Sequence, residues 1–243
     1  ASASSLMAAR LLRRPIFMHE QNVYPGMGTR MFAKHAKKVF TSFPGTEKNL
    51  LGYEEKVILA GNPVRDVFNT LEKETIRQEM GNQDKVMVLS VGGSLGANSI
   101  NEFILSLKPL IEARDDLQWV HVYGNDKEEY ESLFDEIKNL EAHRYIEDIP
   151  PYLVGSDLII TRSGAGMLTE LSAMGKASIL IPSPNVLDDH QSYNARLFEE
   201  EGAALLLKDE ELLTPKARNM VENLLNDEEL RDRLASKSKG IVP

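Results

Sequence analysis

Short apolar runs alternate with longer amphipathic stretches through the second part of the chain. Runs rich in branched aliphatic residues predict six strands, at 86–91, 118–123, 143–146, 158–161, 178–181 and 203–207. Apolar positions spaced three and four apart predict the helices, at 97–113, 126–139, from 166, from 190 to 201, and twice before Pro243. Strands and helices in this order are typical of a parallel sheet with helices on both faces. The pattern therefore predicts an α/β fold with a doubly wound, Rossmann-like sheet.

The first 62 residues show a similar but shorter pattern. Leu6, Ala9 and Leu12 fall on one side of a short predicted helix, which Pro15 would stop. A Ser- and Arg-rich start without acidic residues is also the composition of an organellar transit peptide. The helix is favoured because further elements follow directly, namely strands at 16–19, 38–41 and 56–60 and a helix at 27–35. These elements make up half of a sheet, so the sequence predicts an incomplete first lobe.

A break in the pattern predicts where the two lobes are joined. Gly61, Asn62 and Pro63 interrupt the chain, and a polar, charged stretch follows them. Such stretches are typical of linkers between domains. The predicted division is a remnant of an N-terminal lobe at 1–62, a linker at 63–84 and a C-terminal nucleotide-binding domain at 85–243.

The composition narrows the class of protein. The chain has 243 residues, a net charge of −9 and no cysteine, which excludes disulfides and thiolate metal sites and favours a reducing compartment. Residues 1–40 carry seven basic residues against Glu20 alone, so this segment has a net charge of +6 on an acidic protein. A basic segment of this kind is a solvated helix face or a patch for anionic lipid or nucleic acid. A nucleic-acid partner is not predicted, because the segment lacks a binding motif and interleaved aromatic residues.

Two glycine-rich turns lead from predicted strands into predicted helices. They lie at 92–97 (GGSLGA) and at 163–166 (SGAG). Backbone N–H groups in such turns bind phosphate groups, although similar turns also form where a helix packs close to a strand. The dinucleotide fingerprint is absent, because the glycine spacing differs and Asp126 follows the second strand too late. The two turns therefore favour a diphosphate site over a nicotinamide site.

Polar side chains near these turns suit a sugar nucleotide. Glu170 is placed to accept hydrogen bonds from a ribose diol, and Arg65 is placed to reach a diphosphate, although each is also an ordinary surface residue type. Gln191 and Asn194 are three apart at the start of a helix, so they share a face and could bind sugar hydroxyls. His190 fits a hydrogen bond at the helix end better than the role of a base.

Metal and covalent chemistry find little support in the sequence. Asp188, Asp189 and His190 are consecutive, so they cannot easily converge on one ion, and an N-cap role is commoner for Asp. Ser163 lacks the G-x-S-x-G turn of a hydrolase. No metal site is predicted.

Five motifs occur in order along the chain, namely HEQN (19–22), GNPVR (61–65), GGSLGA (92–97), RSGAGMLTE (162–170) and HQSYNA (190–195). Together they closely resemble the MurG family of peptidoglycan glycosyltransferases, and the resemblance covers nearly the whole chain. Enzymes of this family move N-acetylglucosamine (GlcNAc) from UDP to the 4-hydroxyl of undecaprenyl-diphosphate-linked muramoyl-pentapeptide, with inversion. The resemblance implies a two-lobe GT-B fold, no cofactor, and an enzyme peripheral to the cytoplasmic face of the bacterial cell membrane.

The resemblance also implies a role for individual residues of this chain. Asn22 and Gln191 would contact the GlcNAc, with Asn194 in support. The other donor contacts would be Arg65 and Ser94 at the diphosphate, the backbone of Ile146 at the uracil, Glu170 at the ribose, and the backbone of Ala165, Gly166, Met167, Leu168, Thr169 and Glu170 along the donor. The surface facing an anionic membrane would carry Arg30, Lys34, Lys37 and Lys38.

The chain departs from the family at its two ends. The glycine-rich loop that carries a His near the donor and acceptor should precede Ala1, and the C-terminal helix that returns to the first lobe is cut short after Pro243. The general base is therefore left unassigned, with His19 and Glu20 the nearest polar residues, and the chain is expected to bind donor better than it turns over. Two alternatives remain: a related GT-B enzyme such as a UDP-GlcNAc epimerase, and a non-catalytic UDP-sugar-binding subunit that needs a separate acceptor lobe.

Overall fold

The computed structural model describes residues 3–93 and 95–243, which form two parallel β-sheets. The first sheet has three strands in the order β1-β2-β3, and its elements are α1 (Ala3–Leu11), β1 (Phe17–Glu20), α2 (Met27–Phe32), β2 (Lys38–Thr41) and β3 (Val57–Leu59). Leu6 of α1 and Phe32 of α2 are buried against Val39 of β2. Leu12, predicted on the same side of this helix as Leu6, lies just beyond its end at Leu11 and is 71% exposed.

The second sheet has six parallel strands in the order β6-β5-β4-β7-β8-β9, which confirms the predicted fold class. Its helices cover both faces. The elements from the first lobe onward are α3 (Lys73–Glu79), β4 (Val86–Val91), α4 (Asn98–Ser106), α5 (Lys108–Glu112), β5 (Leu117–Val122), α6 (Glu131–Asp135), β6 (Leu140–His143), α7 (Pro150–Gly155), β7 (Leu158–Thr161), α8 (Ala165–Met174), β8 (Ser178–Leu180), α9 (His190–Glu200), β9 (Leu205–Leu206), α10 (Pro215–Asn226) and α11 (Glu228–Ser238).

The single helix predicted at 97–113 is wrong, because the structure has two helices there, α4 and α5. Pro109 occupies one of the first two positions of α5. A proline lacks a backbone N–H and its ring collides with the preceding turn, so it is tolerated at a helix start and not in a helix interior. The chain therefore ends α4 at Ser106 and begins again at Lys108.

The region around β6 also differs from the prediction. The helix predicted at 126–139 is reduced to α6, which fits the repulsion among carboxylates three and four residues apart at Glu128, Glu131 and Asp135. The strand predicted at 143–146 lies three residues earlier, in β6. Asn139 has a φ of 66° and directly precedes β6, so the chain reverses before Leu140.

The helix α7 was not predicted from the sequence, because its two initial prolines and six-residue length are typical of a loop. The segment predicted as a linker at 63–84 contains α3, and α3 packs on α7. A Cβ on Gly155 would lie 3.2 Å from the side chain of Ile76. The segment therefore packs closely on the second lobe, while the proposed domain boundaries remain a prediction.

The core of the second lobe lies on both faces of its sheet. Trp119 and Phe103 are fully buried on one face, and Leu168 and Phe198 on the other. Phe43, which belongs to the first lobe, is buried in the second of these clusters, so the two lobes share apolar contacts. Within residues 3–93 and 95–243, no helix is long and apolar enough to cross a membrane. The helices cover the two faces of the second sheet and leave the carboxyl ends of its strands open toward the first lobe.

Candidate functional site

A cavity of about 660 Å³ lies at the carboxyl ends of β4, β7 and β8. Its lining includes the glycine-rich turns on either side, represented by Gly92, Gly93 and Gly164, together with Gln191 of α9. The predicted phosphate-binding turns therefore meet at one cavity. Ser94, predicted at the diphosphate, lies outside the described residues.

The amino-terminal end of α8 faces this cavity. Gly164 has extended backbone angles, and the first amide bonded within the helix is that of Leu168, which donates to the Gly164 carbonyl at 3.1 Å. The three preceding N–H groups are therefore free of intrahelical bonds, which is what an anion requires. Leu168 is in the core and the Thr169 hydroxyl donates to the Ala165 carbonyl at 2.8 Å. The N–H groups available to a ligand are therefore those of Ala165, Gly166 and Met167, and neither the backbone N–H nor the side chain of Leu168 is available.

Arg65 and Glu170, predicted at the diphosphate and the ribose, contact each other. The Nε of Arg65 donates to Glu170 Oε1 at 2.9 Å, and the guanidinium NH2 lies 2.8 Å from the same oxygen. Burial raises the pKa of Glu170, and the charge of Arg65 opposes that rise. Arg65 also lies over the ring of Phe68, at 4.9 Å. The structure therefore brings these two residues together at the first turns of α8 and holds them as an ion pair.

Gln191 and Asn194 lie on α9, as the spacing suggested, but their polar atoms have different partners. Gln191 Oε1 accepts from the backbone N–H of Ser183 at 2.9 Å, which leaves its amide nitrogen toward the cavity that it lines. Asn194 is fully buried. Its Oδ1 accepts from the Val23 N–H at 2.9 Å, and its Nδ2 donates to Asn22 Oδ1 at 3.1 Å. Asn194 also donates to the carbonyl of Ser163, so it joins the lobes and brings Asn22 next to the glycine-rich turn before α8.

A second cavity of about 650 Å³ separates the lobes beside Asn22. Glu20 lines it but is 6% exposed, and its carboxylate accepts hydrogen bonds from the N–H groups of Asn22 and Gly26 and from the hydroxyl of Thr29. Glu20 thus holds the loop before α2 and has little capacity left for proton transfer. His19 Nε2 lies 3.0 Å from the Gly61 carbonyl, which orients its ring in the same cleft.

Two further predicted residues lie at the edge of the site. Ile146 follows β6 and is partly buried against the face that carries α8, so its backbone lies at the same edge of the sheet as the glycine-rich turns. His190 Nδ1 lies 2.8 Å from the Leu187 carbonyl, the kind of local hydrogen bond at a helix start that the sequence suggested. Among the described residues, no group of three or more His, Asp or Glu side chains is arranged to hold a metal ion.

The basic residues predicted to face a membrane have different surroundings. Arg30 reaches across the cleft, where its guanidinium lies 3.2 Å from Asp188 and 4.8 Å from the centre of the Tyr24 ring. Lys38 donates to the carbonyl of Glu55, at 3.3 Å. Lys34 and Lys37 are exposed. Sequence reasoning missed a neighbouring cavity of about 370 Å³ lined with basic side chains, namely those of Arg10, Arg13, Arg14, His35 and Lys37.

Sequence reasoning also missed an ion pair in the cavity at the carboxyl ends of β4, β7 and β8. Arg162 and Asp209 form this pair, and the hydroxyl of Ser99 contacts both. Arg162 lies within a recognised motif, but Asp209 follows β9, 47 residues further along the chain, and carries no motif. The hydroxyl of Ser163 donates to the carbonyl of Gln191 at 2.8 Å and connects the glycine-rich turn before α8 to α9.

Comparison with known proteins places this arrangement in a family. Residues 87–241 match the glycosyltransferase family 28 C-terminal domain. Two curated relatives are named UDP-N-acetylglucosamine–N-acetylmuramyl-(pentapeptide) pyrophosphoryl-undecaprenol N-acetylglucosamine transferase. The one from Caldicellulosiruptor saccharolyticus is 34% identical over 96% of this chain and 64% of its own length. The one from Natranaerobius thermophilus is 35% identical over 97% of this chain and 66% of its own length. The chain therefore spans slightly less than two thirds of each.

Solved structures agree with the sequence relatives. The crystal structure of Acinetobacter baumannii MurG matches with a TM-score of 0.75 and 28% identity, over 98% of this chain and 65% of that one. The structure of S. aureus MnaA with UDP matches with a TM-score of 0.71 at 16% identity, over 98% of this chain and 68% of that one, which shows the fold alone. The predicted GT-B fold and the resemblance to MurG glycosyltransferases are confirmed. The family domain matches more than half of the residues of this chain, so the chain belongs to glycosyltransferase family 28.

Proposed function

We propose that the chain binds UDP-GlcNAc and serves the inverting transfer of GlcNAc to the 4-hydroxyl of undecaprenyl-diphosphate-linked muramoyl-pentapeptide in peptidoglycan synthesis. The observation that carries this proposal is the convergence of the five sequence motifs on one interlobe region. Asn22 from the first lobe and Gln191 from the second flank the amino-terminal end of α8, with Arg65 and Glu170 beside it. The names of the curated relatives support the same donor and acceptor.

The donor site would use the Arg65–Glu170 ion pair as two separate ligands. A diphosphate carries more negative charge than one carboxylate, so it attracts Arg65 more strongly, and Glu170 is then free to accept hydrogen bonds from the ribose hydroxyls. The free N–H groups at the start of α8 would face the diphosphate. The same groups stabilise the charge that develops on UDP as the sugar leaves.

Inversion requires a base on the acceptor side of the sugar, and we assign no described residue to this role. Glu20 is a poor candidate because its carboxylate already accepts three hydrogen bonds. The cavity between the lobes is the natural place for the acceptor hydroxyl, because it opens beside Asn22, which is proposed to touch the GlcNAc.

We also propose that the first lobe faces the anionic surface of the cytoplasmic side of the bacterial membrane. Lys34 and Lys37 are exposed, and Arg10, Arg13 and Arg14 lie around the adjoining basic cavity. Each basic residue near such a surface contributes about 1 kcal/mol. Arg30 is left out of this surface because it is paired with Asp188 across the cleft.

The membrane proposal is tested by sedimentation with vesicles of anionic phospholipid. We expect Lys34→Glu combined with Lys37→Glu to reduce the bound fraction at least about tenfold, since two charges are reversed. Arg233→Glu combined with Lys237→Glu, two exposed sites on α11 of the second lobe, makes the same change in net charge and is the control. Binding that is unchanged by the double substitution would rule the surface out.

The donor proposal is tested by isothermal titration with UDP-GlcNAc, UDP-glucose and NADH. We expect UDP-GlcNAc to bind most tightly, and Glu170→Ala to weaken it at least about tenfold, because the ribose loses its charged acceptor. Glu199→Ala, exposed on α9, is the matched control. Preference for NADH, or no loss with Glu170→Ala, would contradict the site.

Transfer activity then separates the enzymatic alternatives. Labelled GlcNAc should move to the lipid-linked acceptor when the chain is part of a complete two-lobe enzyme. Epimerised UDP-sugar without transfer would favour an epimerase. Donor binding followed by transfer only after a separate acceptor-lobe protein is added would favour a non-catalytic donor-binding subunit.

A further inference from the structure

Arg162 joins the ends of several strands beneath the cavity that the glycine-rich turns line. It follows β7 directly, and its side chain is only 13% exposed. One guanidinium nitrogen, NH1, donates to the carbonyls of Ile181 at 3.3 Å and Pro182 at 3.1 Å, which follow β8, and to the carboxylate of Asp209, which follows β9. The side chain therefore fixes the relative positions of three strand ends.

The other guanidinium nitrogen of Arg162 extends the network to α4. NH2 donates to the hydroxyl of Ser99 at 2.9 Å, and that hydroxyl in turn donates to Asp209 Oδ1 at 2.8 Å. Ser99 lies in the first turn of α4, directly after the turn at 92–97. The three side chains thus form a closed triangle in which each contacts the other two.

This triangle connects the two helix ends that face the cavity. Ser99 belongs to α4, and Arg162 precedes the Gly164 turn that begins α8. Two amino-terminal helix ends can share one diphosphate only if their separation matches the ligand, and an error of about 1 Å weakens such binding strongly. The Arg162–Ser99 hydrogen bond is a side-chain contact that spans this separation, and Asp209 holds both partners.

We propose that Asp209 and Ser99 are positioning residues for the donor diphosphate, acting through Arg162 on the spacing between α4 and α8. The inference rests on the proposed donor site but goes beyond it, because none of the three residues is assigned as a ligand. Asp209 neutralises Arg162, whose NH1 and NH2 nitrogens both have protein acceptors. The guanidinium is therefore committed to the scaffold rather than to the phosphate.

A different role for the same residues predicts the opposite result. If Arg162 were a direct phosphate ligand that Asp209 shields, removing the charge of Asp209 would release Arg162 and tighten UDP binding. If the triangle sets the spacing, the same substitution loosens it and weakens UDP binding. The sign of the change therefore decides between the two roles.

The experiment compares UDP with uridine, because only UDP reports on the diphosphate. Both are titrated calorimetrically into the wild-type chain, Asp209→Asn, Ser99→Ala and Ser99→Thr. We expect Asp209→Asn and Ser99→Ala to weaken UDP binding about five- to tenfold, with uridine binding unchanged, since the first removes the charge that pairs with Arg162 and the second removes both hydrogen bonds of the Ser99 hydroxyl. Ser99→Thr keeps the hydroxyl and should restore the wild-type ratio. Glu210→Gln, exposed and next to Asp209, is the control for loss of one charge.

The outcomes separate this proposal from the donor site itself. A wild-type chain that binds UDP no better than uridine would overturn the donor site and this proposal with it. Wild-type preference for UDP that persists unchanged in Asp209→Asn and Ser99→Ala would overturn the positioning role alone, as would tighter binding by Asp209→Asn. Equal losses for UDP and uridine would indicate a merely structural role. Thermal unfolding of each variant shows that the titrations are made on folded protein.

Discussion

Mild acid should destabilise the second lobe through one buried histidine. His121 of β5 is fully buried, its Nδ1 lies 2.7 Å from the hydroxyl of Ser90 and its Nε2 lies 3.1 Å from Asn101 Oδ1. Trp119 donates to the same Ser90 oxygen at 2.8 Å, so the Ser90 hydroxyl is free to donate to Nδ1. The neutral ring with its proton on Nε2 therefore has a hydrogen-bond partner at both of its nitrogens.

The sign and size of the effect follow from the pKa of His121. Burial lowers this pKa from 6.5 to about 3, so the unfolded chain binds a proton that the folded chain excludes. Stability from this group is present above the unfolded pKa and is lost as the pH falls from 6.5 toward the folded value. Between about pH 7.5 and pH 5, the loss in the free energy of unfolding is about 2 kcal/mol.

Urea unfolding at both pH values measures this loss. Trp119 is the only tryptophan of the chain and lies beside His121, so its fluorescence reports unfolding of this lobe. His121→Gln removes the titration while its amide can still donate to Asn101, and carboxylates contribute equally to both proteins. We expect the wild type to lose about 2 kcal/mol more than the variant over this range.

Equal pH dependence of the two proteins would refute the reasoning. A variant that fails to fold would leave a second measurement, which is the titration of the His121 ring by nuclear magnetic resonance in the native wild-type protein. A ring that takes up its proton above about pH 5 while the lobe is folded would contradict the burial argument.

Three further experiments test local features of the site. Gly96→Ala should destabilise the lobe by at least about 2 kcal/mol in thermal unfolding and weaken UDP binding, because Gly96 has a φ of 73° and a Cβ would lie 2.0 Å from the Tyr123 carbonyl oxygen. Asn194→Ala should lower the free energy of unfolding by about 1–3 kcal/mol, since it leaves buried hydrogen-bonding partners unpaired. Increased protease cleavage between the lobes would reveal this loss. A double-mutant cycle of Arg30→Ala and Asp188→Ala should give about 0.5 kcal/mol, because both side chains are 33% exposed.

The regular part of the fold was predictable because it depends on local signals. The strands β2, β4 and β7 have the predicted bounds, since each is a short apolar run between polar or glycine-rich turns. The errors arose where a few residues outweighed the periodicity. Pro109 divided one predicted helix, and the left-handed Asn139 moved β6 by three residues. The two prolines at the start of α7 are typical of a loop, so the sequence did not predict this helix, which tertiary packing stabilises.

The candidate site was predictable as a set of loops but not as a set of contacts. Turns at strand ends must meet at one edge of a parallel sheet, so the positions of the glycine-rich motifs already indicate a shared cavity. Pairing between side chains depends on segments far apart in the chain. Nothing local to Arg65 indicates Glu170, 105 residues further on, and nothing local to Arg30 indicates Asp188, 158 residues further on.

These long-range ion pairs also change the role that can be inferred for each arginine. Arg30 belongs to the basic segment that was predicted to face a membrane, yet its charge is paired across the cleft with that of Asp188. Arg162 directly precedes a turn predicted to bind phosphate, yet its charge is paired with that of Asp209. Arg65 is also paired, but its partner Glu170 is itself a proposed donor contact, so a ligand can separate the two and still give each of them a hydrogen-bonding partner. Of the three arginines, Arg65 is therefore the one whose pairing is compatible with binding the diphosphate.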